Sequence, residues 1–315
     1  MSLRISTAQL YSAGVGGIQQ LQSSLYTLQN QIDTGRRIVT PKDDPVGAAQ
    51  ALVVTQSKSV NELYLKNQAS ADTKLSALDS TLGGVNEELQ NIYEKSVAAG
   101  NGSYSATERA AIATELEQRL NSLVGLANTQ DGTGRYVFAG FDSTTRPFSL
   151  TGNATGPFSS ANQYIQYNGD QGQQQLQVTA SFSLATNIPG NDVFTDVRDS
   201  TGNLTGGSIF DSVKNMVDYL RGSGTVTYSA ALDGINASME TVSRARATVG
   251  ARLSSLESMT NTASDRALQY KTQLSNLEDL DYAKALTDVS QKKIQLEAAQ
   301  ATFASTSKLS LFNYI

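Results

Sequence analysis

The chain has 315 residues, with 24 Lys and Arg against 29 Asp and Glu, so its formal net charge is −5. It contains no Cys, His or Trp, which excludes disulfides, cysteine or histidine metal sites, and catalytic triads that need His. The acidic balance argues against nucleic-acid binding, which needs a basic face. We therefore predict a non-enzymatic protein of two or three domains, with neither a cofactor nor a metal site.

Targeting signals of the common kinds are not evident. The longest apolar runs are far shorter than the roughly 20 residues of a membrane-spanning helix. Residues 1–20 lack the apolar centre of a secretory signal peptide. We expect no membrane insertion, and any export to proceed without a cleaved signal of this kind.

Proline placement divides the chain. Residues 46–146 and 190–315 contain no proline, which permits long helices. Residues 140–206 are instead rich in Gly, Ser, Thr, Asn and Gln. We predict a mainly α fold in which the N- and C-terminal halves form a long antiparallel helical rod or coiled coil, with 140–206 as a small β-rich insert.

The N-terminal region predicts a helix with a coiled-coil seam, because its apolar residues recur at alternating spacings of three and four. Gly35 is expected to end this helix in the left-handed conformation. Asp44 and Pro45 are expected to be the N-cap and first residue of a second helix. The seam residues are Ile18, Leu21, Leu25, Leu28 and Ile32.

Further seams follow in the second and third helices. Ser105 and Glu108 have the spacing of a capping box at the start of the third. The second seam comprises Leu75, Leu78, Leu82, Val85, Leu89 and Ile92, and the third comprises Ala113, Leu116, Leu120, Leu123 and Ala127.

Beyond the insert, Ile209–Leu220 predicts a short amphipathic helix and a long helix follows. The acidic residues of 278–281 lack the pattern of a calcium loop, and we interpret them as a solvated break or an N-cap. Arg244, Arg246 and Arg252 are interpreted as ion-pair partners. The C-terminal stretch carries the spaced residues Ala285, Val289, Leu296, Ala299 and Phe303.

Within the insert, two alternating runs predict a hairpin. Residues 164–167 and 175–179 are expected to pair across a turn at Asn168-Gly169-Asp170. Residues 136–139 are predicted to form a strand that leads into it.

The terminal seams are thin, since Ala, Ser and Gln flank them. Two such helices alone would bury little apolar area, so their folding should require further neighbours. From the residues alone, a self-assembling subunit and an ordinary intramolecular bundle remain open alternatives.

Four segments carry a recognisable pattern: 4–52, Gly134–Gly140, Ala247–Leu253 and 277–315. They resemble the flagellin superfamily, and in particular its hook-associated protein 3 family of hook–filament junction proteins. The similarity covers both helical halves and is weak in the insert. The Thr-Pro-Lys-Asp-Asp-Pro segment at 40–45 favours a junction protein over a filament flagellin.

The resemblance implies a structural adaptor of the bacterial flagellum, exported through the flagellar type III apparatus and located outside the cell. It would self-associate in a helical lattice between a hook-side hook-associated protein and flagellin, after an export chaperone has masked its C-terminal helix. Residues 1–40 with 284–315 would form an inner coiled-coil domain, 41–139 with 207–283 a helical rod domain, and 140–206 a surface insert.

For this mechanism we expect coupled folding and assembly, with terminal helices that are not ordered in the monomer. The seam of the first helix would pair with the C-terminal stretch, and the remaining apolar surface would pack on neighbours. The predicted interface residues are Ile18, Leu21, Leu25, Leu28, Ile32, Val289, Leu296, Phe303, Leu309, Leu311 and Phe312.

Three other functions are alternatives. A short filament flagellin is the alternative within the same class. A carbohydrate-binding adhesin would use Tyr164 and Tyr167 to stack on sugars, although ordinary strand packing explains these residues better. An enzyme whose chemistry uses carboxylates alone is the least favoured alternative, because the chain has no His and no Cys.

Overall fold

The computed structural model describes residues 7–150, 165–199 and 201–308. Four residues named above, Tyr164, Leu309, Leu311 and Phe312, lie outside these ranges. The described part is mainly helical, with two short two-stranded sheets. The helices are α1 (Thr7–Thr34), α2 (Pro45–Ala99), α3 (Ala106–Ala127), α4 (Ile209–Leu220), α5 (Tyr228–Glu278) and α6 (Tyr282–Lys308), and a short π-helix spans Asn191–Thr195. The strands are β1 (Phe148–Leu150), β2 (Ile165–Tyr167), β3 (Gln175–Gln177) and β4 (Ser183–Ala185).

The chain forms two compact units. The terminal unit comprises Met1–Glu62 and Asp265–Ile315, and the central unit comprises Leu63–Ser264. Helices α2 and α5 contribute residues to both units. Among the described residues, no helix is long and apolar enough to cross a membrane.

A continuous apolar core fills the central unit. The predicted seams of α2 and α3 lie in it, and every one of their residues is fully buried. The core also includes the apolar face of α4 and the first half of α5. The α2 and α3 seams are therefore confirmed as core-forming surfaces. Burial of each leucine, valine or isoleucine among them stabilises the fold by about 1.5–3 kcal/mol.

The predicted helix ends are confirmed. Gly35 follows α1 with φ +69°, and Asp44 caps α2 because its Oδ1 accepts a hydrogen bond from the Gly47 N–H at 2.9 Å. At α3, the Ser105 N–H donates to Glu108 Oε2 at 2.7 Å, and the Glu108 N–H donates back to Ser105 Oγ at 3.3 Å. These signals are readable in sequence because each joins residues within three or four positions.

The predicted strand pairing in the insert is wrong. β2 pairs with β1 and β3 pairs with β4, both antiparallel, so β2 and β3 are not a hairpin. The segment 168–170, predicted to be the hairpin turn, is bound to another part of the insert. The Asp170 carboxylate accepts hydrogen bonds from the N–H groups of Phe141, Asp142 and Gly172. This carboxylate fastens the turn to residues 140–142 and directs the chain away from β2.

The predicted strand at 136–139 is also wrong. Tyr136 forms one isolated bridge to Gln130, and the following residues are in turns. Asp131 closes the preceding loop, since its carboxylate accepts hydrogen bonds from the N–H groups of Thr133 and Arg135. Phe138 and Ala139 are fully buried, so this apolar run is a turned segment packed on the core.

An aromatic cluster joins the insert to the helices of the central unit. The rings of Phe148, Phe194 and Phe210 lie 5.1–5.6 Å from one another, and Phe138 packs on Phe194 at 5.0 Å. Centroid distances of this size are favourable for aromatic pairs. Four phenylalanines, the first and last of which are 72 positions apart in sequence, thus form one buried cluster.

The three arginines of α5 do not all form ion pairs. Arg246 pairs with Asp79 at 3.2 Å and Arg244 with Glu240 at 3.8 Å, as predicted. Arg252 instead donates hydrogen bonds to the carbonyl oxygens of Ala185 and Asn187, at 3.3 and 3.1 Å. Its guanidinium satisfies irregular backbone beside β4, and its pKa is lowered by burial.

Candidate assembly interface

Helices α1 and α6 of the terminal unit pack against each other. Tyr11 and Phe303 lie with ring centroids 5.0 Å apart at one end of the pair. At the other end, the Tyr282 hydroxyl donates to the carbonyl of Ile32 at 3.4 Å. The pair is therefore antiparallel and extends for about 32 Å between these contacts.

The register of the pair follows the heptad. Tyr11 and Ile32 are separated by 21 residues, as are Tyr282 and Phe303, which makes three heptads on each helix. Equal spacing on antiparallel helices places the intermediate seam residues level with each other. Ile18 is thus level with Leu296, and Leu25 with Val289.

The pairing leaves the seam incompletely covered. All five predicted seam residues of α1 are half-buried, and so are Val289, Leu296 and Phe303 of α6. Among the described residues of the terminal unit, the hydrophobic side chains that are buried are Ile38, Ala51 and Ala285. This contrasts with the central unit, whose seams are fully buried.

Large apolar side chains also point outward from the terminal unit. Tyr26 of α1 and Ile294 of α6 are each 66% exposed. A monomeric soluble protein seldom exposes many such groups together, and an extended apolar surface is typical of an interaction site. The others in this unit are Tyr11, Val39, Val46, Leu52, Val53, Val60, Leu268, Tyr282 and Leu286.

The connector between α1 and α2, residues 35–44, docks on the break between α5 and α6. The Arg37 N–H donates to the Glu278 carbonyl at 2.6 Å, and the Leu280 N–H donates to the Gly35 carbonyl at 3.1 Å. Arg36 adds an exposed ion pair to Glu278 at 3.8 Å. The predicted break at 278–281 is confirmed, but its backbone is paired with the connector and is not simply solvated.

Arg37 links three parts of this junction. Its guanidinium donates to Asp44 Oδ2 at 3.1 Å and to the Leu277 carbonyl at 2.7 Å. Its own carbonyl accepts from the Gln31 side chain at 2.6 Å. One side chain and its backbone therefore join the end of α1, the start of α2 and the end of α5.

The two adjacent aspartates of the connector are held ionised by hydrogen bonds. The N–H of Thr40 lowers the pKa of Asp43 below its ordinary value, with further donation from the Thr40 hydroxyl. The Gly47 N–H, followed by Arg37, lowers the pKa of Asp44. Asp44 thus caps α2, as the sequence predicts, and Asp43 accepts hydrogen bonds from the backbone of Val39 and Thr40.

Sequence reasoning did not identify the connector as part of the site. A usable signal was present, since Arg36 and Arg37 complement the acidic residues at 278–281. The exposed valines of α2, Val46, Val53 and Val60, were also missed, although they are seven residues apart. Both signals join segments whose proximity is decided only by folding.

Tyr167, the described member of the tyrosine pair considered for sugar binding, is used for packing. The hydroxyl of Tyr167 donates to the carbonyls of Phe138 and Asp170, and its ring packs on Phe148 at 5.2 Å. It is therefore a packing residue and not an open sugar platform. Within 7–150, 165–199 and 201–308, no group of three acidic residues is placed to hold a metal ion.

Comparison with known proteins agrees with this architecture. Residues 5–143 match the family described as the bacterial flagellin N-terminal helical region, and residues 232–315 match the bacterial flagellin C-terminal helical region. Flagellar hook-associated protein 3 of Salmonella typhimurium is 32% identical over 98% of this chain and 99% of its own length. The chain belongs to the flagellar hook-associated protein 3 family.

The hook-associated protein 3 fold is matched in three dimensions as well. The crystal structure of the flagellar junction protein FlgL from Legionella pneumophila superposes with a TM-score of 0.60, at 21% identity, over 73% of this chain and 100% of that chain. A flagellin from Listeria monocytogenes is less similar, at 24% identity over 84% of this chain and 82% of its own length. The higher identity to hook-associated protein 3 favours that family over filament flagellin.

Proposed function

We propose that the chain is a structural adaptor subunit that polymerises in the flagellum between a hook-side junction protein and the flagellin filament. The observation that carries this proposal is the incomplete burial of the terminal unit. Its helices pair in register, yet their seams remain half-buried and large apolar groups face outward. Such a unit gains most of its stability when neighbouring subunits cover it.

The physical mechanism we infer is folding coupled to assembly. In the monomer the paired terminal helices bury too little to offset the conformational entropy of ordering them, roughly 1–2 kcal/mol per residue for the backbone alone. In the assembly, neighbours cover the half-buried seams and the outward apolar groups. Residues 1–40 with 284–315 then form the inner domain, 41–139 with 207–283 the rod, and 140–206 the outer insert.

The same surface accounts for the other partners in the proposal. A C-terminal helix with an exposed apolar face would aggregate before export unless a chaperone covered it. We infer that the chaperone covers the apolar face of α6 together with Leu309, Leu311 and Phe312. After export through the flagellar apparatus the same side chains would contact neighbouring copies, hook-associated protein and flagellin. One apolar surface is thus covered first by a chaperone and then by the assembly.

Charge substitutions in the seam test the proposal. Leu25→Asp and Leu296→Asp each place a carboxylate at the half-buried centre of the α1–α6 pair. An unpaired charge there costs at least about 3 kcal/mol, which is more than 100-fold in incorporation. We expect either variant to be exported but absent from isolated flagella, and cells that make only the variant to be non-motile.

Exposed neighbours provide matched controls. Gln22→Asp introduces the same charge at an exposed position about one turn from Leu25, and Gln295→Asp introduces it at an exposed position next to Leu296. We expect both variants to assemble. Urea unfolding of the soluble variants should show an unchanged central unit. Normal incorporation and motility with Leu25→Asp or Leu296→Asp would refute the proposal.

A further inference from the structure

An uncharged groove lies in the terminal unit, between the first turns of α2 and the last turns of α5. Its volume is about 820 Å³, which is within the range of ligand-binding clefts. Apolar side chains and neutral amides line it, and none of the lining residues is charged. They are Pro45, Val46, Ala49, Gln50, Val53, Val54, Gln273, Asn276 and Leu277.

The groove is open on its α2 side. Val46 is 68% exposed and Val53 is 63% exposed, one heptad apart on the same helix face. Neither residue belongs to the α1–α6 seam. The groove is therefore a second apolar surface of the terminal unit, which the pairing of α1 with α6 leaves uncovered.

We propose that the C-terminal heptapeptide of a second copy of this chain, Leu309–Ile315, occupies this groove. The inference rests on the proposed function, because it names the contact by which one subunit holds the next. The heptapeptide reads Leu-Ser-Leu-Phe-Asn-Tyr-Ile and has no charged side chain. An apolar peptide with two small polar residues suits a groove lined by aliphatic groups and amides.

Chain length requires the occupant to come from another copy. Tyr282, at the start of α6, contacts Ile32 beside the connector, and the connector's Arg37 contacts Leu277 of the groove. From Tyr282, α6 extends to Lys308, a distance of about 39 Å. Seven extended residues span at most about 25 Å. A chain's own tail therefore ends short of the body of its own groove.

The size of the groove favours a short peptide over a long helix. On α2 it extends from Pro45 to Val54, which is about 14 Å of helix. Helices α1 and α6, with 28 and 27 residues, are each much longer than this stretch. The tail is the apolar segment whose length is of the same order as the groove.

Disulfide trapping tests this placement directly, because the chain has no cysteine of its own. Val53→Cys and Phe312→Cys are made as separate single variants and produced together in cells that lack the wild-type chain. Isolated flagella are oxidised and analysed on non-reducing gels. We expect a dimer that contains one chain of each variant, and at least a tenfold lower yield from either variant alone.

Matched positions make the result specific. Gln56→Cys replaces Val53→Cys as a control, because Gln56 is an exposed residue of α2 outside the groove. Should Val53→Cys not assemble, Ala49→Cys in the groove replaces it. The chain that carries both Val53→Cys and Phe312→Cys should form linear adducts between copies, and not an internally cross-linked monomer.

The outcomes separate this inference from the proposed function. Assembly and motility without a mixed dimer, a disulfide within one chain, or trapping of Val53→Cys to a different protein would each overturn the groove assignment while leaving the adaptor function intact. Failure of the wild-type chain to enter flagella would instead overturn the proposed function.

Discussion

Two glycines of α1 offer a sharp test of the α1–α6 pair. A Cβ atom added at Gly14 would lie 2.6 Å from Cδ2 of Phe303, whereas one added at Gly17 would have no neighbour within 4 Å. In a helix interior, Ala is favoured over Gly by about 1 kcal/mol. Crowding a packed contact costs about 1–3 kcal/mol. Gly17→Ala should therefore stabilise ordered α1 by about 1 kcal/mol, while Gly14→Ala should be neutral or destabilise it by up to about 2 kcal/mol.

Competition for incorporation measures this difference. Each variant is produced together with tagged wild-type chain, and the ratio of the two in isolated flagella is divided by their ratio in export-blocked cells. We expect Gly17→Ala to be enriched by about fivefold, which corresponds to 1 kcal/mol, and Gly14→Ala to be equal to wild type or depleted. Hydrogen exchange over α1 should show the same order.

A double variant identifies the responsible contact. In a Phe303→Leu background the clash at Gly14 is relieved, so the effect of Gly14→Ala should move toward that of Gly17→Ala. Equal enrichment of Gly14→Ala and Gly17→Ala in the wild-type background would refute the antiparallel register derived from Tyr11, Ile32, Tyr282 and Phe303.

Two further predictions concern the core and the connector. Leu82→Ala removes a fully buried side chain of the central unit and should lower the free energy of unfolding of that unit, measured in urea, by about 2–5 kcal/mol. Leu63→Ala, at an exposed position, should change this free energy little. Equal losses in the two variants would contradict the assigned core. Because the folded state lowers the pKa of Asp44 below its ordinary 3.8, its stabilising contribution is present above that pH and is lost as the pH falls below it. Asp44→Asn should therefore reduce the acid sensitivity of the thermal unfolding midpoint of the assembled protein, and an unchanged pH profile would exclude the connector as the source of that sensitivity.

The insert shows where sequence reasoning failed. Strand alternation was real in part, since Ile165–Tyr167 and Gln175–Gln177 are strands, but the partners were wrong. A strand's partner is set by contacts distant in sequence, and here the Asp170 carboxylate holds the intended turn against residues 140–142. A local sequence signal for tight loops was nevertheless present. The loops closed by Asp131 and Asp199 both carry the pattern Asp-x-Thr-Gly, with the glycine at positive φ.

The helices and their ends were determined by the sequence itself. The signals used were heptad spacing, the capping box at Ser105, Gly35 after α1 and Asp44 before α2. Each of them joins residues that are only a few positions apart, so it can be read without a structure. The seams of α2 and α3, which prove to be fully buried, were found from the same local spacing.

Only the tertiary structure decided how completely those seams are covered. The seams of α2 and α3 have the same spacing as that of α1, yet they are fully buried, because several helices and the aromatic cluster surround them. Among the described elements, α1 packs against α6, and its seam stays half-buried. A heptad specifies that a helix has a partner, whereas the number of partners depends on which segments the fold brings to it.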